Sequence, residues 1–500
     1  MSHDAVYDYD LVCIGSGPAG QRGAVQAAKL GRRVALVERR QGLGGMCLET
    51  GTIPSKTFRE AVVRLTALAR DATGGGAGGG AGEMLGSAVG SAAGSAAGSA
   101  AGTVVGGGAG AAGPAARALV RRIDDVVARE GQVIAHQMQR NGVDVLCGEA
   151  AFVDPHRLRI VSETGTREVT AGAVLIATGT AAAPSRGVTP DGEVIITSDD
   201  IVRLERLPKS LCVVGAGVIG IEYASMFAML GVDVTVIDRR GRPLEFLDGE
   251  IVDELLHQMR DRKVQFRLNE AVERVSVSVS ADAPRRATVH LESGKRVVAE
   301  LVLVSTGRVG ATAHLDLARA GLAADDRGRL VVDAFFRTGV PHIFAAGDVI
   351  GHPSLAATSS EQGRLAACHA LGAPAVAMTR HFPIGIYAMP EISMVGETEE
   401  TLTQRRIPYE TGVARYREIA RGQILGDDSG FFKMLFHRED RTLLGVHIIG
   451  TGATELLHIG QAVLALGGGL DYFLTTVFNY PTLAECYKVA ALNAANKLAA

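Results

Sequence analysis

A chain of 500 residues that is 47% hydrophobic and 21% charged has the composition of a globular α/β protein with two to four domains. Its net charge of −3 gives no basic excess for binding nucleic acid. The sequence has no apolar run of about 20 residues, so no membrane span is predicted. Six scattered cysteines and an N-terminus without signal-peptide features favour a reducing, cytoplasmic location. The histidines lack metal-ligand spacing, so no metal is expected.

Two segments, residues 9–39 and 210–239, each predict an apolar strand, a glycine-rich turn, a helix and a second apolar strand that ends in an acid. The matched positions are Gly15, Gly17, Gly20 and Glu38 in the first segment, and Gly215, Gly217, Gly220 and Asp238 in the second. In this pattern the first glycine permits a tight turn, the second lets backbone amides approach a pyrophosphate, and the third allows close helix packing. The acid accepts hydrogen bonds from the adenosine ribose. The sequence therefore predicts an α/β fold with two Rossmann-like dinucleotide-binding domains.

The stretch between these segments contains an incomplete redox motif. Residues 44–56 read GGMCLETGTIPSK, with one cysteine, Cys47, and a threonine, Thr52, five positions later. The motif looks like a redox disulfide that lacks its second sulfur. Further on, residues 73–113 are rich in Gly, Ala and Ser, which favours a flexible surface insertion over a small-residue packing repeat.

Arginines follow the acid of the second segment. Asp238 precedes Arg239, Arg240 and Arg242. An acid at this position favours NAD, whereas a neighbouring arginine can hold the 2′-phosphate of NADP. The presence of both argues against an exclusive choice; the alternative interpretation is that some of these arginines are solvated loop charges.

From about His381 the pattern changes to strand-like runs, followed by two helical stretches near the C-terminus. This order predicts a separate α+β domain.

Taken together, the motifs GSGPAG, GGMCLETGTIPSK, LIATGT, GAGVIGIEYAS, VSTGR and IFAAGDVIG resemble those of the FAD-dependent pyridine nucleotide–disulfide oxidoreductases. The tail VFNYPTLAECYKVAALN resembles the interface domain of that family. The segments GTIPSK, HPSLAATSSEQGRLAA, LHIGQAV and FNYPTLAE are most similar to its soluble, Si-specific transhydrogenase branch.

The resemblance implies cofactors and site residues. FAD would occupy the first fingerprint, with Glu38 at the ribose and Asp348 at the ribityl chain, and NAD or NADP would occupy the second. Lys56 would lie beside flavin N5 with Glu222 as its ion-pair partner, and these two are the candidate catalytic residues. The candidate cofactor-binding residues are Gly15, Gly17, Gly20, Glu38, Arg39, Gly44, Gly45, Cys47, Thr52, Lys56, Thr178, Gly179, Gly215, Gly217, Gly220, Asp238, Arg239, Gly307, Arg308 and Asp348.

The resemblance also implies four segments and an assembly. Residues 1–186 would form the first part of the FAD-binding domain, including the insertion, and 306–380 its second part. Residues 187–305 would bind NAD(P), and 381–500 would form a dimerisation domain. The protein is thus expected to be a homodimer or a larger homo-oligomer.

Two parts of the family's dithiol chemistry are missing. Thr52 stands where the second redox cysteine would be, and its hydroxyl cannot form a disulfide. Tyr480 stands before Pro481 where the family has a histidine, while Glu485 remains. A tyrosine, with an ordinary pKa near 10, is a poor base for a thiol near neutral pH. Reduction of a disulfide substrate is therefore not expected.

The remaining machinery predicts FAD-dependent hydride transfer from NADPH to NAD⁺ by a ping-pong route without a redox disulfide. Cys47 is then either a packing residue or a low-pKa thiol that cycles through sulfenate. The alternatives are an NAD(P)H:quinone or oxygen reductase, a Cys47-dependent peroxide reductase, or a non-catalytic nucleotide-sensing protein. Nicotinamide nucleotides are the expected partners; nucleic acid and membranes are not.

Overall fold

The computed structural model describes residues 7–72, 112–204, 206–278 and 285–499. The predicted Gly/Ala/Ser insertion lies outside these ranges, except that its last two residues begin a helix. Within the described ranges, no helix is both long and apolar enough to cross a bilayer.

The first layer is a seven-stranded sheet flanked by helices. Its strands lie in the order β3-β2-β1-β6-β5-β4, and β17 pairs with β6. β1 is central and parallel to β2 and β6, and its residues Leu11 to Ile14 are buried, which explains the unbroken apolar run in this strand. The elements are β1 (Tyr9–Ile14), α1 (Pro18–Lys29), β2 (Val34–Glu38), α2 (Gly45–Glu49), α3 (Thr52–Ala72), α4 (Ala112–Arg140), β3 (Asp144–Cys147), β4 (Glu149–Asp154), β5 (Arg157–Ser162), β6 (Gly165–Ile176), β17 (Ile343–Ala345) and α7 (Ala356–Ala370).

The second layer is a five-stranded parallel sheet in the order β11-β10-β9-β15-β8. An antiparallel sheet, β12-β13-β14, packs beside it, and β7 and β16 pair as a separate two-stranded antiparallel ribbon. The elements are β7 (Thr180–Ala182), β8 (Ile195–Thr197), β9 (Ser210–Val214), α5 (Val218–Met229), β10 (Asp233–Asp238), α6 (Gly249–Asp261), β11 (Gln265–Leu268), β12 (Val272–Val277), β13 (Ala287–Leu291), β14 (Arg296–Ala299), β15 (Leu301–Val304) and β16 (Arg308–Gly310).

The C-terminal part is a five-stranded antiparallel sheet in the order β18-β19-β22-β21-β20, covered by helices. Its elements are β18 (Ile384–Ile386), β19 (Ile392–Gly396), α8 (Glu399–Gln404), β20 (Tyr409–Arg415), α9 (Ala420–Leu425), β21 (Phe431–His437), β22 (Leu443–Ile449), α10 (Ala453–Ala465), α11 (Leu470–Thr475) and α12 (Glu485–Ala499). Short 3₁₀ turns lie at Ile201–Arg203, Leu317–Ala320, Asp348–Ile350 and Tyr416–Glu418.

A buried ion-pair cluster joins helix α6 of the second layer to the C-terminal sheet. Lys433 of β21 is almost fully buried, and its ammonium donates to Asp248 Oδ1 at 3.0 Å and to Glu250 Oε2 at 2.8 Å. It also pairs with Glu399 at the start of α8. Asp248 caps α6, since its side chain accepts the Glu250 backbone N–H. This cluster therefore fixes the start of α6 against the C-terminal domain.

Candidate functional site

The two glycine turns have the same geometry. Gly15 and Gly215 have positive φ, and a Cβ on either would lie 2.5 Å from the carbonyl oxygen of the residue that follows the neighbouring strand, Ala177 or Ser305. A Cβ on Gly20 would collide with Gly15 O, and one on Gly220 with Gly215 O. These four positions therefore need glycine for the fold itself.

The second glycine of each turn is different. A Cβ on Gly17 or Gly217 would have no heavy atom within 4 Å, and both residues have ordinary extended backbone. The protein's own packing leaves space beside them, as a turn that admits a pyrophosphate requires. Gly179 also faces open space, and its neighbour Thr178 has a buried hydroxyl without a hydrogen-bond partner among the described residues. A dinucleotide would supply the missing partner, so this site fits FAD.

The first fingerprint borders a cleft of about 990 Å³. The cleft brings together more than half of the predicted site residues: Gly15, Gly17, Glu38, Arg39, Gly45, Cys47, Thr52, Lys56, Thr178, Gly179, Glu222, Arg308 and Asp348. The predicted residues outside its lining are Gly20, Gly44, Gly215, Gly217, Gly220, Asp238, Arg239 and Gly307. Most of the latter belong to the second fingerprint, whose turn reaches the cleft only through Val218 and Ile219.

The acid of the first fingerprint is fixed by its neighbours. Glu38 Oε2 accepts the Ser16 backbone N–H at 3.0 Å and the Ser16 hydroxyl at 2.5 Å. Ser16 Oγ in turn accepts the Gly44 N–H at 2.9 Å. The backbone of Gly45 packs on Gly17, where a Cβ would come within 3.0 Å. The GG pair of the redox motif thus holds α2 against the first turn.

The centre of the cleft holds an ion pair. The Lys56 ammonium donates to both oxygens of Glu222, at 3.1 and 2.9 Å. Glu222 lies on α5, is almost fully buried, and also accepts the Tyr387 backbone N–H at 2.8 Å. Lys56 lies 4.8 Å from the centre of the Tyr387 ring, a cation–π contact. A positive charge is therefore held in place where both nucleotide-binding layers meet the C-terminal domain.

Asp348 and Cys47 are two further polar residues of the cleft, and burial affects the pKa of each. Burial raises the pKa of Asp348, although a hydrogen bond from Ser359 opposes this shift. Burial also raises the pKa of the Cys47 thiol, while a hydrogen bond with Thr52 and the charge of Lys56 oppose it. The low-pKa interpretation of Cys47 therefore finds no support here, because the thiol is held in its protonated form near neutral pH.

Hydrogen bonds hold together the turns at Gly179 and Gly307, which connect the two layers. Gly179 O accepts the Ala311 N–H and Gly307 O accepts the Ala183 N–H, each at 3.0 Å. The Arg308 guanidinium donates to Thr180 Oγ1 at 2.8 Å. These residues therefore shape the passage between the two layers.

In the second fingerprint the arginine beside Asp238 is Arg240. Its guanidinium donates to Asp238 Oδ1 at 2.9 Å and Oδ2 at 2.8 Å. Arg239 is exposed, and the arginine that pairs with Asp238 is Arg240, so the predicted part of Arg239 in nucleotide binding stays a prediction. Arg242 instead donates to Gly249 O and Asp253.

Sequence reasoning missed two residues that the structure places in the site, Ser16 and Tyr387, and did not single out Arg240 beside Asp238. Ser16 lies between two fingerprint glycines, where the pattern allows any residue. Tyr387 contributes mainly its backbone N–H, which carries no sequence signal. Arg240 was noticed as a neighbour of Asp238, yet only the geometry separates it from Arg239.

The profile of the pyridine nucleotide-disulphide oxidoreductases matches residues 9–363, and the profile of their dimerisation domain matches residues 382–491. The chain belongs to this family. It is 49% identical over 496 residues to the soluble pyridine nucleotide transhydrogenase of Mycobacterium bovis (strain BCG / Pasteur 1173P2), covering 99% of this chain and 98% of the relative. It is 39% identical over 498 residues to the protein of the same name from Hahella chejuensis, covering 99% and 100%.

Two solved structures have the same fold. The HOCl-induced flavoprotein disulfide reductase RclA from Escherichia coli superposes with a TM-score of 0.81 at 26% identity, over 97% of this chain and 99% of that one. LpdA from Mycobacterium tuberculosis also gives 0.81 at 26% identity, over 96% and 98%. The predicted fold class, two Rossmann-like domains and a C-terminal dimerisation domain, is confirmed.

The end of the chain lies away from this cleft. Tyr480 is 73% exposed, and Val477 nearby is 92% exposed. Glu485, at the start of α12, has a buried oxygen without a hydrogen-bond partner among the described residues. Within one subunit, this segment therefore contributes nothing to the cleft.

Proposed function

We propose that this protein is an FAD-dependent transhydrogenase that moves hydride from NADPH to NAD⁺ in a ping-pong reaction. The observation that carries the proposal is the Lys56–Glu222 pair, preserved at the junction of two dinucleotide folds while the thiol relay is incomplete. The full-length similarity to relatives named soluble pyridine nucleotide transhydrogenase supports the same reaction.

The residues that would hold FAD line the cleft. The Gly17 turn would hold the pyrophosphate, Glu38 the adenosine ribose, Thr178 a polar group of the cofactor, and Asp348 the ribityl chain; all four residues line the cleft. When bound, FAD accepts hydride from a reduced nicotinamide and returns it to an oxidised one. The second fingerprint, with Gly217 and Asp238, would hold each nicotinamide nucleotide in turn.

Lys56 supplies a fixed positive charge. Glu222 holds the ammonium through an ion pair, and the Tyr387 N–H fixes the same carboxylate on its other side. A preorganised ammonium stabilises negative charge that develops next to it without reorganising during the reaction. Most of the remaining catalysis would come from positioning the two reactants.

The incomplete thiol relay supports nucleotide substrates over disulfides or peroxide. Thr52 cannot pair with Cys47 in a disulfide, and burial raises the pKa of Cys47, so a reactive thiolate is scarce near neutral pH. Lys56 and Glu222 need no thiol for their part in hydride transfer.

Assembly and location follow from the same family. The dimerisation domain would form a homodimer, in which the exposed segment around Val477 and Tyr480 becomes buried against a second copy. The cytoplasm is the proposed location. Hydride transfer at the Si face is the proposed stereochemistry. Analytical ultracentrifugation tests the dimer, and transfer from NADPH deuterated on one face of C4 tests the stereochemistry.

The decisive experiment is anaerobic stopped-flow mixing of the FAD-loaded protein with NADPH and then with thio-NAD⁺. Bleaching of the flavin band by NADPH and its return with thio-NAD⁺ are expected, with parallel lines in double-reciprocal steady-state plots. Lipoamide, quinone and peroxide serve as competing acceptors in the same assay. Faster turnover with any of these than with thio-NAD⁺ would overturn the proposal.

A further inference from the structure

The two fingerprints end in matched sequences that the fold uses differently. Glu38 is followed by Arg39 and Arg40, and Asp238 by Arg239 and Arg240. Each acid lies at the end of the second strand of its βαβ unit, in a buried position. The second arginine of each pair therefore starts from the same place relative to its acid.

In the second fingerprint, hydrogen bonds from the arginine occupy acceptor positions of the acid's carboxylate. Asp238 Oδ1 accepts the Arg240 backbone N–H at 2.8 Å and the Arg240 Nε at 2.9 Å. Asp238 Oδ2 accepts the Ala216 N–H at 2.6 Å and the Arg240 Nη2 at 2.8 Å. A carboxylate offers about four acceptor positions, so Asp238 has none left for a ribose hydroxyl.

In the first fingerprint, the equivalent arginine is held elsewhere. The Arg40 guanidinium pairs with Glu49 and contacts the Met46 sulfur, and only its backbone N–H reaches Glu38, at 3.1 Å. With the two bonds from Ser16, Glu38 accepts three hydrogen bonds from the described residues and keeps one position open. This acid can accept a ribose hydroxyl without any rearrangement.

We propose that Arg240 is a two-position latch that sets which nicotinamide nucleotide the second site accepts, an inference that rests on the proposed transhydrogenase function. Without nucleotide, its guanidinium covers Asp238. The 2′-hydroxyl of NAD(H) can bond to Asp238 only after the guanidinium leaves one carboxylate oxygen. The 2′-phosphate of NADP(H) draws the guanidinium onto itself, forming charge-assisted hydrogen bonds.

The surroundings of Arg240 permit this movement. Its side chain is 39% exposed, so water can replace the lost contacts, whereas the Asp238 side chain is only 5% exposed and stays in place. The Ala216 and Arg240 backbone bonds to Asp238 do not depend on the guanidinium. Arg242 cannot substitute, because it is tied to the start of α6.

The latch explains how one site could serve both nucleotides. A bare carboxylate at position 238 would repel a 2′-phosphate, whereas a guanidinium that lies between the two anions offsets this repulsion. Each nucleotide must displace the guanidinium from at least one Asp238 oxygen, so neither is favoured strongly. A site used alternately by NADPH and NAD⁺ needs such a balance.

Binding of the oxidised nucleotides to the oxidised holoenzyme tests the latch without turnover. Isothermal titration calorimetry would compare NADP⁺ with NAD⁺, and 2′-phospho-ADP-ribose with ADP-ribose, which carry only the adenosine end. For Arg240→Ala, we expect NADP⁺ to bind about tenfold or more weakly and NAD⁺ to bind as tightly as before or more tightly. The matched control, Arg242→Ala, removes the same charge from the same loop and should leave the ratio of the two affinities unchanged.

A second variant separates neutralisation of the acid from direct contact with phosphate. Asp238→Asn in the Arg240→Ala background should recover part of the NADP⁺ affinity and lose NAD⁺ affinity. Equal weakening of both nucleotides in Arg240→Ala would overturn the latch, as would a loss of NADP⁺ binding in Arg239→Ala but not in Arg240→Ala. FAD content from the visible spectrum confirms that each variant is folded. Because these measurements need no hydride transfer, the latch can fail while the transhydrogenase function stands, and the reverse.

Discussion

Lys56 and Glu222 are 166 positions apart in the chain, yet the lysine ammonium lies 2.9 and 3.1 Å from the two carboxylate oxygens. α3 supplies the lysine and the first turns of α5 supply the acid, while the C-terminal domain adds the Tyr387 N–H to the same carboxylate. The pair therefore depends on the correct relative placement of all three parts of the subunit. A displacement of any of them would change the position of the positive charge in the cleft.

Lys56→Met tests the role of that charge. We expect the rate of flavin reduction by NADPH to fall about 10²- to 10³-fold, the usual loss when one preorganised electrostatic group is removed. FAD should remain bound, because the Gly17 turn and Glu38 are untouched. Stopped-flow absorbance at the flavin band measures the rate.

Tyr387→Phe is the control for this variant, since it keeps both the aromatic ring and the backbone N–H that contacts Glu222. It should reduce the flavin at close to the wild-type rate. A Lys56→Met protein as fast as wild type would show that the ammonium has no part in hydride transfer.

Cys47→Ser separates hydride transfer from thiol chemistry. Because burial raises the pKa of this thiol and Thr52 cannot complete a disulfide, transhydrogenation should persist within about twofold. The assay is steady-state NADPH oxidation coupled to thio-NAD⁺ reduction, with peroxide as a second acceptor. Peroxide reduction that is substantial in wild type and abolished in Cys47→Ser would instead favour a thiol-dependent reductase.

Much of the site could be predicted because its signals are local. The fingerprint glycines recur at fixed spacing, and close backbone approach forces glycine at Gly15 and Gly20 whatever else the chain contains. The order of the motifs along the chain also identifies the family, and with it the Lys56–Glu222 pair. The architecture of two nucleotide-binding layers and a C-terminal domain follows from the same repeats.

What the sequence did not show depends on long-range geometry. Arg239 and Arg240 are identical in type and adjacent, and only the direction of the chain after β10 places one on Asp238 and leaves the other exposed. The Tyr387 contact uses a backbone group, and every residue except proline has that N–H. The low-pKa hypothesis for Cys47 gave weight to the neighbouring lysine and could not include the burial that opposes it.

Gly17→Ala and Gly20→Ala should fail in different ways. A methyl group at position 17 faces open space in the cleft, so the protein should fold but retain little FAD. A methyl group at position 20 would collide with Gly15 O, so this variant should be unstable even with excess FAD. The ratio of flavin to protein absorbance and the thermal midpoint distinguish these outcomes. Equal loss of stability in both variants would mean that Gly17 is also required by the fold.

Lys433→Met probes the cluster between α6 and the C-terminal sheet. Lys433 and Asp248 are each only 1% exposed, and removing one partner of a buried pair typically costs about 3–5 kcal/mol. Glu250 and Glu399 are more exposed and can be rehydrated, so Asp248 would bear most of the penalty. Thermal melting and hydrogen exchange at α6 measure the loss.

Arg405→Met is the control, because Arg405 pairs with Glu397 and the two side chains are 55% and 37% exposed. A surface pair of this kind contributes about 0–1 kcal/mol, so the control should melt close to wild type. Equal thermal midpoints for the two variants would show that the buried cluster does not contribute measurably to stability.

The pH dependence of stability tests His447, which lies in the same interface. Burial lowers the pKa of His447; nearby Asp248 and a hydrogen bond with Glu397 O oppose the shift. In the unfolded chain this histidine binds its proton near its ordinary pKa of about 6.5, whereas the folded protein holds it neutral to lower pH. Its contribution to stability is therefore complete above pH of about 6.5 and is lost as the pH falls below that value. One such group can change the free energy of unfolding by at most about 1.4 kcal/mol per pH unit.

His447→Gln keeps an N–H donor for Glu397 O but does not titrate, so its thermal midpoint should fall less than that of wild type between pH 7 and pH 5. The exposed His458→Gln serves as the control and should follow wild type throughout. Melting curves for the three proteins across this range give the comparison. If His447→Gln loses stability with acid as steeply as wild type, the acid sensitivity must come from other groups, and His447 is not the residue that resists protonation in the folded state.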